Sequence, residues 1–326
     1  MIAHELVPAP DPVECCERMA GLPYVIFLDS AVRGTPLGRY SFLMADPADV
    51  VRGKGRDSRG ALDDVRALMA PRQSAPIPGL PPFQTGAAGY IAYDWGRTIE
   101  RLPPSRYDDL DLPDIVFGIY DWVIAWDHEA DRAWIVARNE ELLQRAKSYV
   151  GRPFQGRQKD LGDTERVAPR TAPPSYPVDA QWADPRIGLR SSFTHAAYLD
   201  AVNRVREYIF AGDIFQANLS QRFEAPLSEP PWDLYRRLRE RNPAPFAAYL
   251  DFPGAVVLSA SPERFLHVDA GGHVETRPIK GTRPRGVGPE HDAALGLALV
   301  ESLKDIARED VLAHAIDGVE IRGVRE

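Results

Sequence analysis

Residues 255–282 have the sequence AVVLSASPERFLHVDAGGHVETRPIKGT, and this stretch decides the predicted fold. Apolar and β-branched residues fill 255–260 and recur after each break, while turn-forming residues stand at Ser261–Pro262 and in the segment DAGG. The pattern predicts three successive strands, and the last one runs into residues 277–286, RPIKGTRPRG. The cations of that segment therefore lie where a strand ends in a loop, a common place for a ligand to meet a scaffold.

Residues 277–286 concentrate positive charge in a chain whose net charge is -8. The cations are Arg277, Lys280, Arg283 and Arg285. One interpretation is a solvated basic turn, whose ion pairs would stabilise the fold little. The other is an anion site with a reactive amine, because neighbouring cations and partial burial favour a neutral, nucleophilic Lys280. Gly281 would let a ligand approach the backbone closely, and Thr282 would offer it a hydroxyl.

Glu263, in the segment SPERF, also has two interpretations. It lies on the predicted strand next to the one that leads to Lys280. It could form an ordinary ion pair with Arg264 or Arg277 across the hairpin. Alternatively, it could act as a general acid, because a carboxylic acid beside a nucleophile can protonate a leaving group.

The composition limits the class of protein. A length of 326 residues with 44% hydrophobic residues predicts one large domain or two ordinary ones. The negative net charge disfavours a surface shaped for nucleic acid or for an anionic membrane, so neither partner is expected. There is no signal-peptide pattern and no run of about 18 apolar residues. Together with only two cysteines, Cys15 and Cys16, this predicts a soluble protein of the reducing cytoplasm.

The chain is predicted to have three regions: a first domain at 1–150, a polar, Pro-rich connection at 151–190 and a second domain at 191–326. Short strand-like runs separated by Gly, Pro and Asp make the first region α+β. One predicted strand covers 118–126 and the next covers 133–137, joined by the turn DHEADR. Helical spacing of Leu62, Val65 and Leu68 predicts one helix, and a second is predicted at 140–149.

The second region begins with a predicted helix, capped by Thr194 and ended by Gly212. Its apolar face is expected to comprise Tyr198, Val202, Val205 and Ile209. The next segment, 212–225, alternates apolar Phe215, Ala217 and Leu219 with polar residues, which predicts a strand. A further helix is predicted in 230–242, PPWDLYRRLRERN.

Four ordered motifs resemble one known family. They are AGDIFQANLSQRF (211–223), NPAPFAAYL (242–250), LSASPERFL (258–266) and TRPIKGTRPRG (276–286). The first region is similar as well, in FLDS (27–30), GRYSFLMADP (38–47), GYIAYDWGRTIERLP (89–103) and LPDIVFGIYDWVIAWDH (112–128). From about Pro23 to about Ala307 the chain resembles the chorismate-utilising enzymes, the family of anthranilate synthase component I and aminodeoxychorismate synthase component I.

This resemblance implies an α+β sandwich of two large, mostly antiparallel β-sheets with outer helices. Enzymes like anthranilate synthase have alanine at the position of Lys280, whereas aminodeoxychorismate synthases typically have lysine, so the closer resemblance is to the latter. It implies that Lys280 attacks chorismate, that Glu263 serves as acid and base, and that Gly281 and Thr282 hold the substrate. The product would be 4-amino-4-deoxychorismate, for p-aminobenzoate and folate synthesis. A separate glutamine amidotransferase subunit would supply the ammonia.

The family's first domain also forms a tryptophan pocket. The resemblance places Ser30, Asn242, Pro243 and Phe246 in its walls. Asp29 stands where the family usually has a glutamate.

After Ala307 the sequence departs from the family pattern. The segment REDVLAHAIDGVEIRGVRE stands where the family continues with magnesium-binding glutamates and further motifs. The resemblance thus implies Mg²⁺ as the cofactor, with Asp305 as one matching carboxylate, and a chorismate-binding domain that is incomplete at the C-terminus. Two alternatives are a truncated fragment with no catalysis of its own and an anthranilate synthase component I-type enzyme.

Overall fold

The computed structural model describes residues 1–103, 108, 110–152, 182–184, 188–277, 288, 291 and 294. The helices in these residues are α1 (Pro12–Arg18), α2 (Ala61–Met69), α3 (Glu140–Val150), α4 (His195–Ala211) and α5 (Pro231–Arg241). The strands are β1 (Ile2–Leu6), β2 (Val25–Asp29), β3 (Tyr40–Met44), β4 (Asp49–Gly53), β5 (Gly86–Ile91), β6 (Ile115–Tyr120), β7 (Trp122–Asp127), β8 (Arg132–Ala137), β9 (Trp182–Asp184), β10 (Leu189–Ser191), β11 (Phe223–Glu224), β12 (Phe246–Phe252), β13 (Ala255–Ser261), β14 (His267–Val268) and β15 (Val274–Glu275).

A seven-stranded antiparallel sheet organises the fold, in the order β1-β8-β7-β3-β2-β12-β13. Its strands come from both ends of the described sequence, because β12 pairs with β2 over five residues, from Ala247 opposite Asp29 to Asp251 opposite Val25. Smaller sheets have the orders β4-β6-β5, β11-β10-β9 and β14-β15. Every pairing is antiparallel. The predicted α+β class with large antiparallel sheets is confirmed.

Both faces of the seven-stranded sheet are covered. On one face, Val25 and Phe27 of β2 pack in a core with Leu143 of α3 and Trp232 of α5. On the other face, Ile26 lies in a second core that includes residues of β5 and β6. Successive side chains of a strand point to opposite faces, so an uninterrupted apolar run such as VIFL is what a doubly covered strand requires.

The helices form largely where local sequence signals place them. Asn139 caps α3, Thr194 caps α4, and Gly212 ends α4 with a left-handed φ of +81°. These observations confirm the predicted helices, as does α2. No residue of α4 is buried, however, so its expected core face does not pack inside the described part of the molecule. The elements β1 and α1 were not predicted.

Two strand predictions are wrong. The run 118–126 is not one strand but parts of β6 and β7, which belong to different sheets on either side of Asp121. Arg72 and Arg138 both pair with Asp121 at this break. The segment 213–222 is not a strand, because in the described residues it has no partner strand to complete its hydrogen bonds. Only β11 follows it, and the Phe215 side chain is 88% exposed.

No described helix is both long enough and apolar enough to cross a bilayer. Much of the expected connection 151–190 lies outside the described residues, and the predicted division into domains stays a prediction.

Candidate functional site

Glu263 lies just beyond the end of β13, on a backbone held by its neighbour Ser261. The Ser261 hydroxyl donates to the Glu263 carbonyl oxygen at 2.8 Å, and the Glu263 N–H donates back to Ser261 Oγ at 3.3 Å. Ser261 is itself the last residue of β13, opposite Phe246 of β12. The large sheet therefore fixes the backbone of Glu263 while its side chain projects into solvent.

Glu275, on β15, binds the two arginines that flank the candidate site. Arg264 donates to Glu275 Oε1, and Arg277 donates to Glu275 Oε2 at 2.9 Å. The hydrogen bond from Arg277, followed by the charges of both arginines, lowers the pKa of Glu275. Both carboxylate oxygens of Glu275 are therefore occupied, and Glu275 is the counter-ion of both guanidinium groups.

This arrangement corrects one interpretation of Glu263. An ion pair with Arg264 or Arg277 was expected as the simplest role for this residue, but both arginines bind Glu275 instead. In the described part of the chain, no hydrogen bond or ion pair reaches the Glu263 carboxylate. An exposed, unpaired carboxyl group on a fixed backbone can exchange protons with a ligand. Sequence reasoning missed Glu275. Its ion pair with Arg277 could have been identified, because residues two apart in an extended segment lie on the same face.

The other residues predicted to act on chorismate, Lys280, Gly281 and Thr282, lie outside the described residues, as does the candidate metal ligand Asp305. Across the described ranges, no group of three or more His, Cys, Asp or Glu side chains could hold a metal ion. The roles of these four residues therefore stay predictions.

Of the residues predicted to form the second pocket, the structure places Ser30 against the segment NPAPF (242–246). The buried Ser30 hydroxyl lies 2.5 Å from the Tyr40 carbonyl oxygen and 3.3 Å from that of Pro245, within the segment NPAPF. Ala31 donates its N–H to the Ala244 carbonyl oxygen at 3.0 Å. Phe246 is half-buried next to this contact, whereas Asn242 and Pro243 are exposed at the end of α5.

Asp29, beside Ser30, is buried and already has two donors on one oxygen. Arg239 Nε lies 2.5 Å from Asp29 Oδ2, and the Tyr235 hydroxyl lies 3.1 Å from the same atom. Burial and the negative charge of Asp29 raise the pKa of Tyr235, so this phenol stays a donor. Burial by itself would lower the pKa of Arg239, but the hydrogen bond to Asp29 and its charge outweigh that effect and raise it. Asp29 Oδ1 is buried without a hydrogen-bond partner in the described residues.

His128 lies at the same end of the sheet, with its Nε2 2.7 Å from Ser41 Oγ. Burial, followed by the positive charge of Arg33, lowers the pKa of His128 to about 4. Ser41 Oγ also accepts the Ser30 N–H at 3.0 Å, so a neutral imidazole is linked to the candidate pocket through one hydroxyl. Sequence reasoning missed Arg239, Tyr235 and His128, because their proximity to Asp29 and Ser30 depends on how β7 and α5 pack.

A shallow cavity of about 190 Å³ lies elsewhere, at the start of α4, lined by Phe193, His195, Tyr198 and Gln221. The Gln221 amide already donates to Ser191 Oγ at 2.6 Å. No predicted site residue contributes to this cavity.

The comparisons with known proteins agree with this fold and these motifs. The family described as chorismate binding enzyme matches residues 25–313. Anthranilate synthase component 1 of Thermus thermophilus is 40% identical over 279 residues, which cover 84% of this chain and 56% of that protein. Aminodeoxychorismate synthase component 1 of Salmonella typhimurium is 31% identical over 319 residues, which cover 93% and 65%. The chain therefore spans between about half and two thirds of the length of these relatives.

A solved structure supports the fold. The crystal structure of anthranilate synthase component I from Streptococcus pneumoniae superposes with a TM-score of 0.62 at 24% identity, covering 86% of this chain and 61% of that one. Because the family match extends over far more than half of the sequence, this chain belongs to the chorismate binding enzyme family.

Proposed function

We propose that this chain is the component 1 type of aminodeoxychorismate synthase, which converts chorismate and ammonia to 4-amino-4-deoxychorismate for p-aminobenzoate and folate synthesis. The observation that carries the proposal is Lys280 in the motif PIKGT, where anthranilate synthase-like enzymes have alanine. A relative with the same activity in its name, from Salmonella typhimurium, aligns with 93% of the chain.

In the proposed reaction, the neutral Lys280 amine attacks C2 of chorismate. Both ring double bonds shift by one position and the bond from C4 to its hydroxyl breaks, with Glu263 giving its proton so that water leaves. The new secondary amine loses a proton. Ammonia then adds at C4 and gives up a proton, both double bonds shift back, and Lys280 departs from C2 with a proton returned to it. The sum is chorismate plus ammonia giving aminodeoxychorismate plus water.

The remaining parts of the proposal concern binding. Gly281 and Thr282 would hold the substrate, and a glutamine amidotransferase subunit would deliver ammonia. Mg²⁺ would neutralise substrate carboxylate charge, with Asp305 among its ligands. The described residues offer no cluster that fits this ion, so no step above depends on it. We also propose a cytoplasmic location, which the low cysteine content, with Cys15 and Cys16 alone in the sequence, supports.

Anthranilate synthase component 1 activity is the second candidate. The observation in its favour is the 40% identity to the Thermus thermophilus protein of that name. The two activities differ in product, since one retains the 4-amino-4-deoxychorismate skeleton and the other yields an aromatic amine.

A single assay separates the candidates. The purified chain is incubated with chorismate, Mg²⁺ and excess ammonium, and the products are identified by chromatography. We expect aminodeoxychorismate, and we expect Lys280→Ala to abolish it. Lys147→Ala, which changes a lysine on α3, is the matched control and should retain the rate. Unchanged synthesis by Lys280→Ala would remove the proposed nucleophile, and anthranilate from the wild type would favour the second candidate.

For the pocket around Ser30, Phe246, Asn242 and Pro243 we propose L-tryptophan as the ligand. Asp29 is already occupied by Arg239 and Tyr235, so the affinity should be low. Calorimetric titration of the chain with L-tryptophan and with L-phenylalanine tests this, and equal heats for both would count against a tryptophan site.

A further inference from the structure

We infer that Glu275 is a positioning residue that keeps the guanidinium groups of Arg264 and Arg277 off the Glu263 carboxylate, so that Glu263 stays available for proton transfer. The inference rests on the proposed function for the role of Glu263. The arrangement of the charges does not depend on that function.

The first step is that Glu275 binds both arginines at once. Its two carboxylate oxygens bind different arginines, Oε1 to Arg264 and Oε2 to Arg277. The Arg264 guanidinium also lies over the Phe246 ring, 5.7 Å from its centroid. Arg264 is therefore held by two contacts, and neither of them is with Glu263.

The second step is that both arginines are within reach of Glu263. Arg264 is its neighbour in sequence. Thr276 Oγ1 donates to the Phe265 carbonyl oxygen at 3.0 Å, so the two segments stay side by side beyond the pairing of His267 with Glu275. This contact puts Arg277 near Phe265, two residues from Glu263, or about 7 Å along an extended chain. A released arginine side chain could span that distance.

The third step concerns the remaining charges on the two segments that flank the hairpin turn, 263–269 and 273–277. Besides Glu263, Arg264, Glu275 and Arg277, their charged and titratable groups are His267, Asp269 and His273. Asp269 and His273 bind each other at the hairpin turn, with Nδ1 3.0 Å from Oδ2. The pairing of Asp269 with His273 leaves the two arginines as the cations that loss of Glu275 would release.

The fourth step is the size of the effect. All three side chains of the Arg264–Glu275–Arg277 group are partly exposed, and such ion pairs stabilise a fold little. A cation close to a carboxylate nevertheless favours its charged form. Without Glu275, the arginines would bind Glu263 and deprive it of the proton that a general acid must donate.

The test uses Glu275→Gln, which keeps the shape and removes the charge. Glu275→Asp keeps the charge. Glu224→Gln is the matched control, because Glu224 is also shared by two arginines, Arg190 and Arg222, on a different sheet. The protein is labelled with ¹³C at glutamate carboxyl groups, and the Glu263 resonance is assigned by its loss in Glu263→Gln.

At low salt, we expect Glu275→Gln to move the titration midpoint of Glu263 to lower pH than in the wild type, by about half a pH unit or more. The other two variants should stay within about 0.2 of the wild type, and 1 M NaCl should reduce the difference because salt screens exposed charges. An unchanged midpoint in Glu275→Gln would overturn the inference. If that variant does not fold, Arg277→Gln decides: a midpoint within about 0.2 of the wild type supports the inference, and a rise of half a unit overturns it.

The second measurement is the pH profile of kcat/KM for ammonia-dependent chorismate turnover. We expect the alkaline limb to shift to lower pH in Glu275→Gln by the same amount, and to return in Glu275→Asp. A profile that does not move would overturn the role of Glu263. If the wild type makes no aminodeoxychorismate, the proposed function fails, while the titration still decides whether Glu275 keeps the arginines off Glu263.

Discussion

Arg239 Nε on α5 lies 2.5 Å from Asp29 Oδ2 at the end of β2, and this contact joins two segments that are 210 residues apart in sequence. The Asp29 side chain is fully buried, while 21% of the Arg239 side chain is exposed. Removing one partner of a buried ion pair is costly because it leaves the other charge uncompensated.

Asp29→Asn should therefore destabilise the protein by about 2–4 kcal/mol, since Arg239 would lose its counter-ion in a mostly buried position. Urea unfolding followed by tryptophan fluorescence measures this. The matched control is Glu5→Gln, which breaks the exposed pair between Glu5 and Arg132. Equal changes in the two variants would contradict a special role for the Asp29 pair.

Gly89 of β5 should not tolerate a side chain. A Cβ at this position would lie 1.8 Å from the Val116 carbonyl oxygen and 2.8 Å from the Phe117 Cα, both in the paired strand β6. Gly89→Ala must displace backbone, and we expect a loss of more than about 2 kcal/mol in the free energy of unfolding.

Gly60→Ala is the control for this substitution. Gly60 has no heavy atom within 4 Å of a built Cβ and has a φ of -86°. Its stability should change by no more than about 0.5 kcal/mol. Thermal unfolding of the two variants side by side tests the difference, and a Gly89→Ala protein as stable as Gly60→Ala would show that β5 and β6 are not so close.

His128 should make the protein sensitive to acid. Its pKa is lowered from 6.5 to about 4 in the folded chain, so between these values the unfolded state binds more protons. The stability that the neutral imidazole contributes is present above about pH 6.5 and is lost as the pH falls toward 4. Allowing for partial exposure, we expect about 1 kcal/mol.

The measurement is the free energy of unfolding of the wild type and of His128→Gln between pH 4 and pH 7. Other titrating groups cancel in the difference between the two proteins. The difference in the free energy of unfolding between the wild type and His128→Gln should narrow as the pH falls. A difference that is constant with pH would exclude His128 as the source of the acid sensitivity.

Local elements were predictable from the sequence because their causes are local. The caps Asn139 and Thr194 and the left-handed Gly212 determine where α3 and α4 begin or end. The segment 213–222 was mispredicted for the opposite reason, since alternation alone does not provide a partner strand. The break at Asp121 was missed because two apolar strands of different sheets follow each other with one residue between them.

The candidate site was predictable only in part. Its motif singled out Glu263, but a sequence does not say which of two nearby glutamates the arginines bind, and that choice depends on side-chain geometry in the hairpin. The cluster of Asp29, Arg239 and His128 was beyond sequence reasoning, because it forms from three elements that meet only after the large sheet has assembled.

The pairing of β2 with β12 has a consequence for how the chain could be divided. The backbone hydrogen bonds between these strands and the packing of Trp232 against Phe27 hold residues 1–152 and 188–277 together without the peptide bonds that connect them. A protease that nicks the chain between residues 152 and 188 would leave two fragments that migrate as one species until they are denatured. The same halves, expressed as separate polypeptides, would be suited to reassembly by complementation.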